Sequence, residues 1–236
     1  MGNFDKKIEI FIKQFITNGG YNKVIEGLQN TLIIAVLGLL IGILIGVFIA
    51  GVRVMPKYKK LPKILNGFCT LYVGFFRGTP IVVQLLLFYY VLLPMLGQQM
   101  TPVTVSVFVF GLNSGAYISE MMRAGILSVD SGQMEGGRAM GLSFSATMIK
   151  IVIPQAIKNI LPTLGNEFIA LIKETSVVSF VGATDLYVAF NYMGSNSYEF
   201  MVPYLAMAII YIILVLGISF LIKIMERSLR KGDKSI

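Results

Sequence analysis

Few residues in this chain can do chemistry, and their spacing narrows what that chemistry is. Among 236 residues there is no histidine, which removes His-ligated metal sites and Ser-His or Cys-His catalysis. No Gly-rich loop ending in Gly-Lys-Ser/Thr is present to cradle nucleotide phosphates. A hydrolytic carboxylate pair would have to come from Glu120, Glu167 and Glu174, whose context reads as membrane packing, so no enzymatic role is expected. Two polar clusters remain. The first is the stretch 133–143, Gln-Met-Glu-Gly-Gly-Arg-Ala-Met-Gly-Leu-Ser, followed by Ile151-Val152-Ile153-Pro154. Apolar runs flank it, and a patterned polar loop between such runs persists only if it touches something in water. The second is Arg77-Gly78-Thr79-Pro80, which interrupts a long apolar region. Proline removes a backbone donor and pushes the preceding residue out of helical geometry. The backbone groups so freed are tolerated at membrane depth only beside protein or a water-filled cavity. An arginine there costs on the order of 2.5–3.5 kcal/mol in lipid. Either Arg77 and this break line a solute path, or Arg77 pairs with an acid inside the bundle.

The elements that hold these clusters are long and apolar. Hydrophobic residues make up 56% of the chain and mean hydropathy is +0.77, against about 45–50% apolar residues in a soluble domain. The surplus is gathered into runs that predict spans at 28–52, a broken 62–94, 102–127, a proline-interrupted 145–173, and 201–222. In the first, Gly38, Gly42, Gly46 and Ala50 recur every fourth residue and predict a close helix contact, with another subunit or within the bundle. In the third, Glu120 and Arg123 share a helix face and are expected to pair. The fourth carries Asn159, Asn166 and Glu167, so much of it is expected to face the bundle interior. Residues 174–198 read as a re-entrant or interfacial segment plus an external loop. The single cysteine, Cys69, forms no intrachain disulfide and reads as a small hydrophobe.

Net charge is +8, and its placement sets orientation. Arg53, Lys57, Lys59, Lys60 and Lys63 form one basic cluster, and Lys223, Arg227, Arg230 and Lys231 another; both mark cytoplasmic ends. No basic stripe is interleaved with stacking aromatics, so nucleic acid is not an expected partner. The expected fold is all-α and integral to the membrane, with five transmembrane helices, the N-terminus outside and the C-terminus inside. Residues 1–20 place Phe4, Ile8, Phe11, Ile12 and Phe15 at helical spacing. They form an amphipathic segment on the membrane surface or a partly ordered tail, and not a cleavable signal peptide. Residues 21–227 form the transmembrane domain, with its polar loop near 131–145, and 228–236 a cytoplasmic tail.

Glu135, Gly141, Ile151 and Pro154, at these spacings, resemble the cytoplasmic coupling motif of ABC importer permeases of the type I fold. The resemblance extends over most of the chain. Phe76-Arg77-Gly78-Thr79-Pro80, the 137–143 stretch, Pro154-Gln155-Ala156, Leu161-Pro162 and Gly165-Asn166-Glu167-Phe168 look like the branch that carries polar amino acids such as histidine, glutamate, glutamine, arginine and opines. The resemblance implies a permease subunit of an ATP-driven amino acid importer, working by alternating access in a bacterial cytoplasmic membrane. It implies a second permease chain, identical or paralogous, an extracytoplasmic amino-acid-binding protein, surrounding lipid, and a dimer of cytosolic ABC ATPases. ATP and Mg are bound by the ATPases, so this chain is expected to hold no cofactor and no metal.

The coupling residues it implies are Glu135, Gly136, Gly137, Arg138, Ala139 and Gly141. The substrate residues it implies, in a pocket part-way across the membrane, are Arg77, Thr79, Asn166, Glu167, Lys173 and Ser176. Arg77 or exposed backbone N–H groups would take a carboxylate, and Glu167 an ammonium or a cationic side chain. Glu167 could instead pair permanently with Lys173 or Arg77. Gly136 and Gly137 stand where the family usually has two alanines. Each glycine costs a helix about 1 kcal/mol relative to alanine, so the docking helix is less rigid here or starts later. Two other readings stay open: a permease of this fold for another solute, which would not predict the Arg-Gly-Thr-Pro break, and a secondary transporter without ATPases. Inverted internal repeats would favour the latter, and the sequence shows none.

Overall fold

A computed structural model describes residues 3–55 and 60–231 of the chain. Lys57, Lys59 and positions 232–236 of the expected tail lie outside the described residues. Helix α1, Asn3–Ile12, runs through a π-helical turn, Lys13–Thr17, to Gly19, whose positive φ of 70° turns the chain into the next helix. Phe11 and Phe15 stack at 5.7 Å and pack on Val24, Phe190 and Met193. Lys7 is 3.0 Å from Glu199, and its hydrogen bond holds that carboxyl below the usual range. One face of the amphipathic segment is thus docked on the bundle, while Phe4, Ile12 and Ile16 remain exposed.

Helices α2, Gly20–Val54, α3, Lys60–Gly78, and α4, Ile81–Leu87, follow. A π-helical turn, Phe88–Leu92, leads into the short α5, Leu93–Met95, and then comes α6, Pro102–Leu127. The first turn of α6 is capped by Thr101, whose hydroxyl accepts from Thr104 N, with Pro102 at the head where a missing N–H is harmless. Helices α2 and α6 form the most extensive pair in the molecule. Gly38, Gly42 and Gly46 lie against Phe110, Ser114 and Ile118, and Gly111 and Gly115 of α6 receive Ile41 and Ile45 in return. A Cβ on Gly42 would sit 2.9 Å from Ser114 Cβ. The predicted small-residue row is therefore an intrachain contact. Beside it, Ile34, Leu85, Phe110, Leu171, Ile172 and Val178 form the main core.

The polar loop folds as α7, Ser131–Ala139, and α8, Phe144–Thr147. A π-helical turn, Met148–Val152, joins α8 to α9, Ile153–Glu174. A tight turn, Thr175–Val181, then ends at Gly182 (φ 80°), before α10, Leu186–Ser197, and α11, Met201–Lys231. The π turns at 88–92 and 148–152 have a common cause. Each centres on the residue four before a proline, Tyr90 before Pro94 and Lys150 before Pro154. A proline ring clashes with the carbonyl of residue i−4 and offers it no N–H, so the helix widens there.

Among the described residues, α2, α6 and α11 are long and apolar enough to cross a membrane, and α3 with α4–α5 form a further pair bent by 107°. Helix α9 is not among them; it carries Lys158, Asn159, Asn166, Glu167 and Lys173. No residue in the most apolar window of α11 is buried by the chain itself, and Leu61, Phe68 and Leu71 of α3 are likewise exposed.

Candidate functional site

The site is built where α3 ends. Pro80 has no N–H to give Phe76 O, and the helix breaks at Thr79-Pro80. The freed acceptors are recaptured by side chains. Gln84 Nε2 donates to Phe76 O, Thr79 O and Thr79 Oγ1, each at 2.9 Å. Asn113 of α6 donates to Phe76 O at 3.2 Å and to Gln84 Oε1 at 3.0 Å. Thr79 Oγ1 in turn donates to Phe75 O at 2.8 Å. Gln84 is 1% exposed, so a broken backbone is fixed in a buried setting with its polar groups met. The lone polar residue in the run Ile-Val-Val-Gln-Leu-Leu-Leu is the sequence signal for it.

Helix α6 carries the neighbouring groups. Ser114 Oγ donates to Glu167 Oε1 at 2.9 Å, and Glu167 is 9% exposed. One turn further, the Arg77 guanidinium lies over the Tyr117 ring, 5.4 Å from its centroid. No ion pair to Arg77, Glu167 or Lys173 occurs among the described residues. Both structural pairings considered for these groups, Arg77 with an acid and Glu167 with Lys173 or Arg77, are thus absent there. Ser114 and Tyr117 are three residues apart, a rise of about 4.5 Å on one helix face. Arg77, the Thr79 break and Glu167 therefore gather around residues 113–117 of α6. Among the other expected substrate residues, Asn166 and Lys173 are exposed, as Arg77 is, and Ser176 lines a pocket of about 460 Å³ with Val177, Ser179, Phe180 and Tyr187.

Towards the α7 end, the expected Glu120–Arg123 pair forms, with Arg123 Nη2 2.8 Å from Glu120 Oε2. Arg53 of α2 completes it from the other side, on Glu120 Oε1. This third member escaped the sequence because it is 67 residues away. Helix α7 begins at Asp130, whose carboxylate accepts from Gly132 N at 2.6 Å. It ends in a turn at Gly141, φ 86°, a conformation that favours glycine. Arg138 Nη1 closes that turn on Leu142 O at 3.1 Å. Glu135, Gly136, Arg138 and Ala139 are exposed on one outer surface, whereas Gly137 is buried. A Cβ on Gly137 would meet the Thr147 side chain and lie 3.1 Å from Ile151 Cδ1, while one on Gly136 would meet nothing within 4 Å. Gln155 donates to Gln133 at 3.2 Å, tying α7 to the start of α9.

These features have close counterparts among known proteins. The chain is 38% identical over 206 residues to a putative glutamine transport system permease protein, GlnP, of Rickettsia bellii, covering 87% of this chain and 92% of that protein. It is 35% identical over 210 residues to the arginine transport system permease protein ArtQ of Bacillus subtilis, covering 89% and 94%. Its fold matches a crystal structure described as an amino acid ABC transporter with histidines, with TM-score 0.81, 39% identity, and coverage of 91% and 98%. The methionine ABC transporter MetNI, in an inward-facing form, shares the fold at 19% identity and TM-score 0.74, over 88% and 96%. The family profile described as the inner membrane component of binding-protein-dependent transport systems matches residues 38–231. This chain belongs to that family, the membrane permease subunits of ABC importers.

Proposed function

We propose that this chain forms the transmembrane pathway of an amino acid importer and carries a polar or charged amino acid by alternating access. As a family member it works with a separate ATPase and a substrate-binding protein. The observation that carries the solute reading is the cluster on α6: among the described residues, a guanidinium without a carboxylate partner and a buried carboxylate held by Ser114, on neighbouring turns. A zwitterion needs one group of each sign. In this reading Arg77 takes the carboxylate and Glu167 the ammonium or a cationic side chain. Thr79 keeps the break open between them, and Asn166, Lys173 and Ser176 line the approach.

The finer arrangement follows from the same reading. Two permease chains, identical or paralogous, enclose the path, each with five spans, the N-terminus outside and the C-terminus inside. The exposed surface of α7, with Glu135, Gly136, Arg138 and Ala139, docks on an ATPase, and Gly137 and Gly141 shape the helix that presents it. ATP and Mg reside in the ATPase dimer. Closure of that dimer moves α7, and the Gln133–Gln155 contact and the π turn at 148–152 pass the movement to α9, which bears Glu167. Glu167→Gln keeps the shape and removes the charge. It is expected to weaken uptake affinity in proteoliposomes at least about tenfold, the worth of a charged hydrogen bond, with assembly and basal ATP hydrolysis retained. Unchanged uptake affinity, or loss of the assembled complex, would assign Glu167 to the scaffold.

A further inference from the structure

We propose that the pocket between the α7-side ends of α2, α3 and α6 binds the phosphate headgroup of an anionic phospholipid. The cavity is about 390 Å³ and is lined by Arg53 and Val54, Asn66 and Thr70, and Arg123 and Leu127. A second cavity, lined by α7 residues, shares Val54 and Leu127 with it, which places it at the same end as the polar loop. Its charge is unbalanced. Glu120 is the acid bonded to both arginines, so two positive groups meet one negative group and a net +1 remains. Both carboxylate oxygens are taken, one by each arginine.

A guanidinium has more N–H donors than these bonds consume, in a fork that fits phosphate oxygens. The Arg123 side chain is 39% exposed, so its remaining donors are reachable. Thr70 donates its proton to Asn66 O at 2.8 Å, leaving the hydroxyl oxygen free to accept from a headgroup hydroxyl. Helix α3 contains no acid anywhere from Lys60 to Gly78, and α2 none from 28 to 54, while Lys63 stands exposed one turn before Asn66. Nothing else in these elements offsets the positive field.

The apolar surroundings distinguish a lipid from a soluble anion. Leu127, which lines the pocket, is 67% exposed, and Leu71, next to Thr70 on α3, is 72% exposed. An acyl chain would cover them, and a free phosphate would not. Basic pockets between transmembrane helices are a recurring way to hold such headgroups. The inference stands apart from the identity of the transported solute.

The test uses the complete permease–ATPase complex in phosphatidylcholine nanodiscs, titrated with phosphatidylglycerol and read by native mass spectrometry. Arg123→Gln removes one guanidinium and keeps the Arg53–Glu120 pair. Thr70→Leu fills the cavity and touches no ion pair. Both are expected to lower bound phosphatidylglycerol roughly fivefold or more against wild type, and inorganic phosphate at equal concentration is expected not to displace it. Undiminished phosphatidylglycerol in Thr70→Leu, or its displacement by inorganic phosphate, overturns the proposal.

Discussion

Gln84 shows how one side chain can hold a broken span together. Its amide supplies hydrogen to two backbone carbonyls and a hydroxyl at the break, and its own oxygen is held by Asn113. Gln84→Leu matches the size, leaves Thr79 O without its donor and the Asn113 amide without one of its acceptors, and leaves Phe76 O to Asn113 alone. A loss of about 1–2 kcal/mol in stability is expected, less than in water because the unfolded chain in lipid also finds partners. It should appear as a lower unfolding midpoint for the detergent-solubilised complex, and an unchanged midpoint would mean that water already serves the break. The break itself was legible, because Gly78 and Pro80 act locally on their own backbone. Its closure was not, since Asn113 reaches Phe76 across 37 residues of sequence. The same distance effect hid Arg53 behind the local Glu120–Arg123 pair, and Tyr117 behind the search for an acid near Arg77.

Helix α7 explains a departure that sequence alone read as lost rigidity or a later helix start. Gly137 packs against Thr147 and Ile151, so an alanine there must push aside a buried, β-branched side chain. Overpacking of this kind costs typically about 1–3 kcal/mol, more than the roughly 1 kcal/mol that helix propensity returns. Gly136 meets nothing, so Gly136→Ala gains the propensity without the clash. Gly136→Ala is expected to raise or keep the thermal midpoint of the complex and Gly137→Ala to lower it. Equal effects from the two would refute the packing account. Most element boundaries were readable for a related reason. Thr101 and Pro102 make a local start signal, and the predicted 102–127 coincides with α6. The partner of the Gly38-Gly42-Gly46 row stayed open because a small-residue stripe states closeness and not identity; α6 supplies it.

For the molecule as a whole, composition announced a membrane protein, and the fold explains how polar groups survive in it. The exposed apolar faces of α3 and α11 look outward, while Gln84, Asn113, Ser114 and Glu167 are turned inward and bonded. Span count was less legible, since α9 combines the length of a span with the polarity of an interior helix. Orientation rests on the basic clusters. In a background with the buried Cys69 replaced by alanine, cysteines at Lys63 and Arg227 are expected to resist an impermeant thiol reagent added to intact cells, and one at Gln98 to react. Labelling at Lys63 or Arg227 would reverse the topology. The central claim, that this chain is an amino acid permease driven through α7, is tested most directly by ATP-dependent uptake of labelled amino acid into proteoliposomes holding the complete transporter and its binding protein. The account predicts uptake that requires ATP on the ATPase side and falls roughly fivefold or more in Glu135→Ala, as for loss of an interface contact worth more than about 1 kcal/mol. Uptake that proceeds without ATP, or at the full rate in Glu135→Ala, would contradict it.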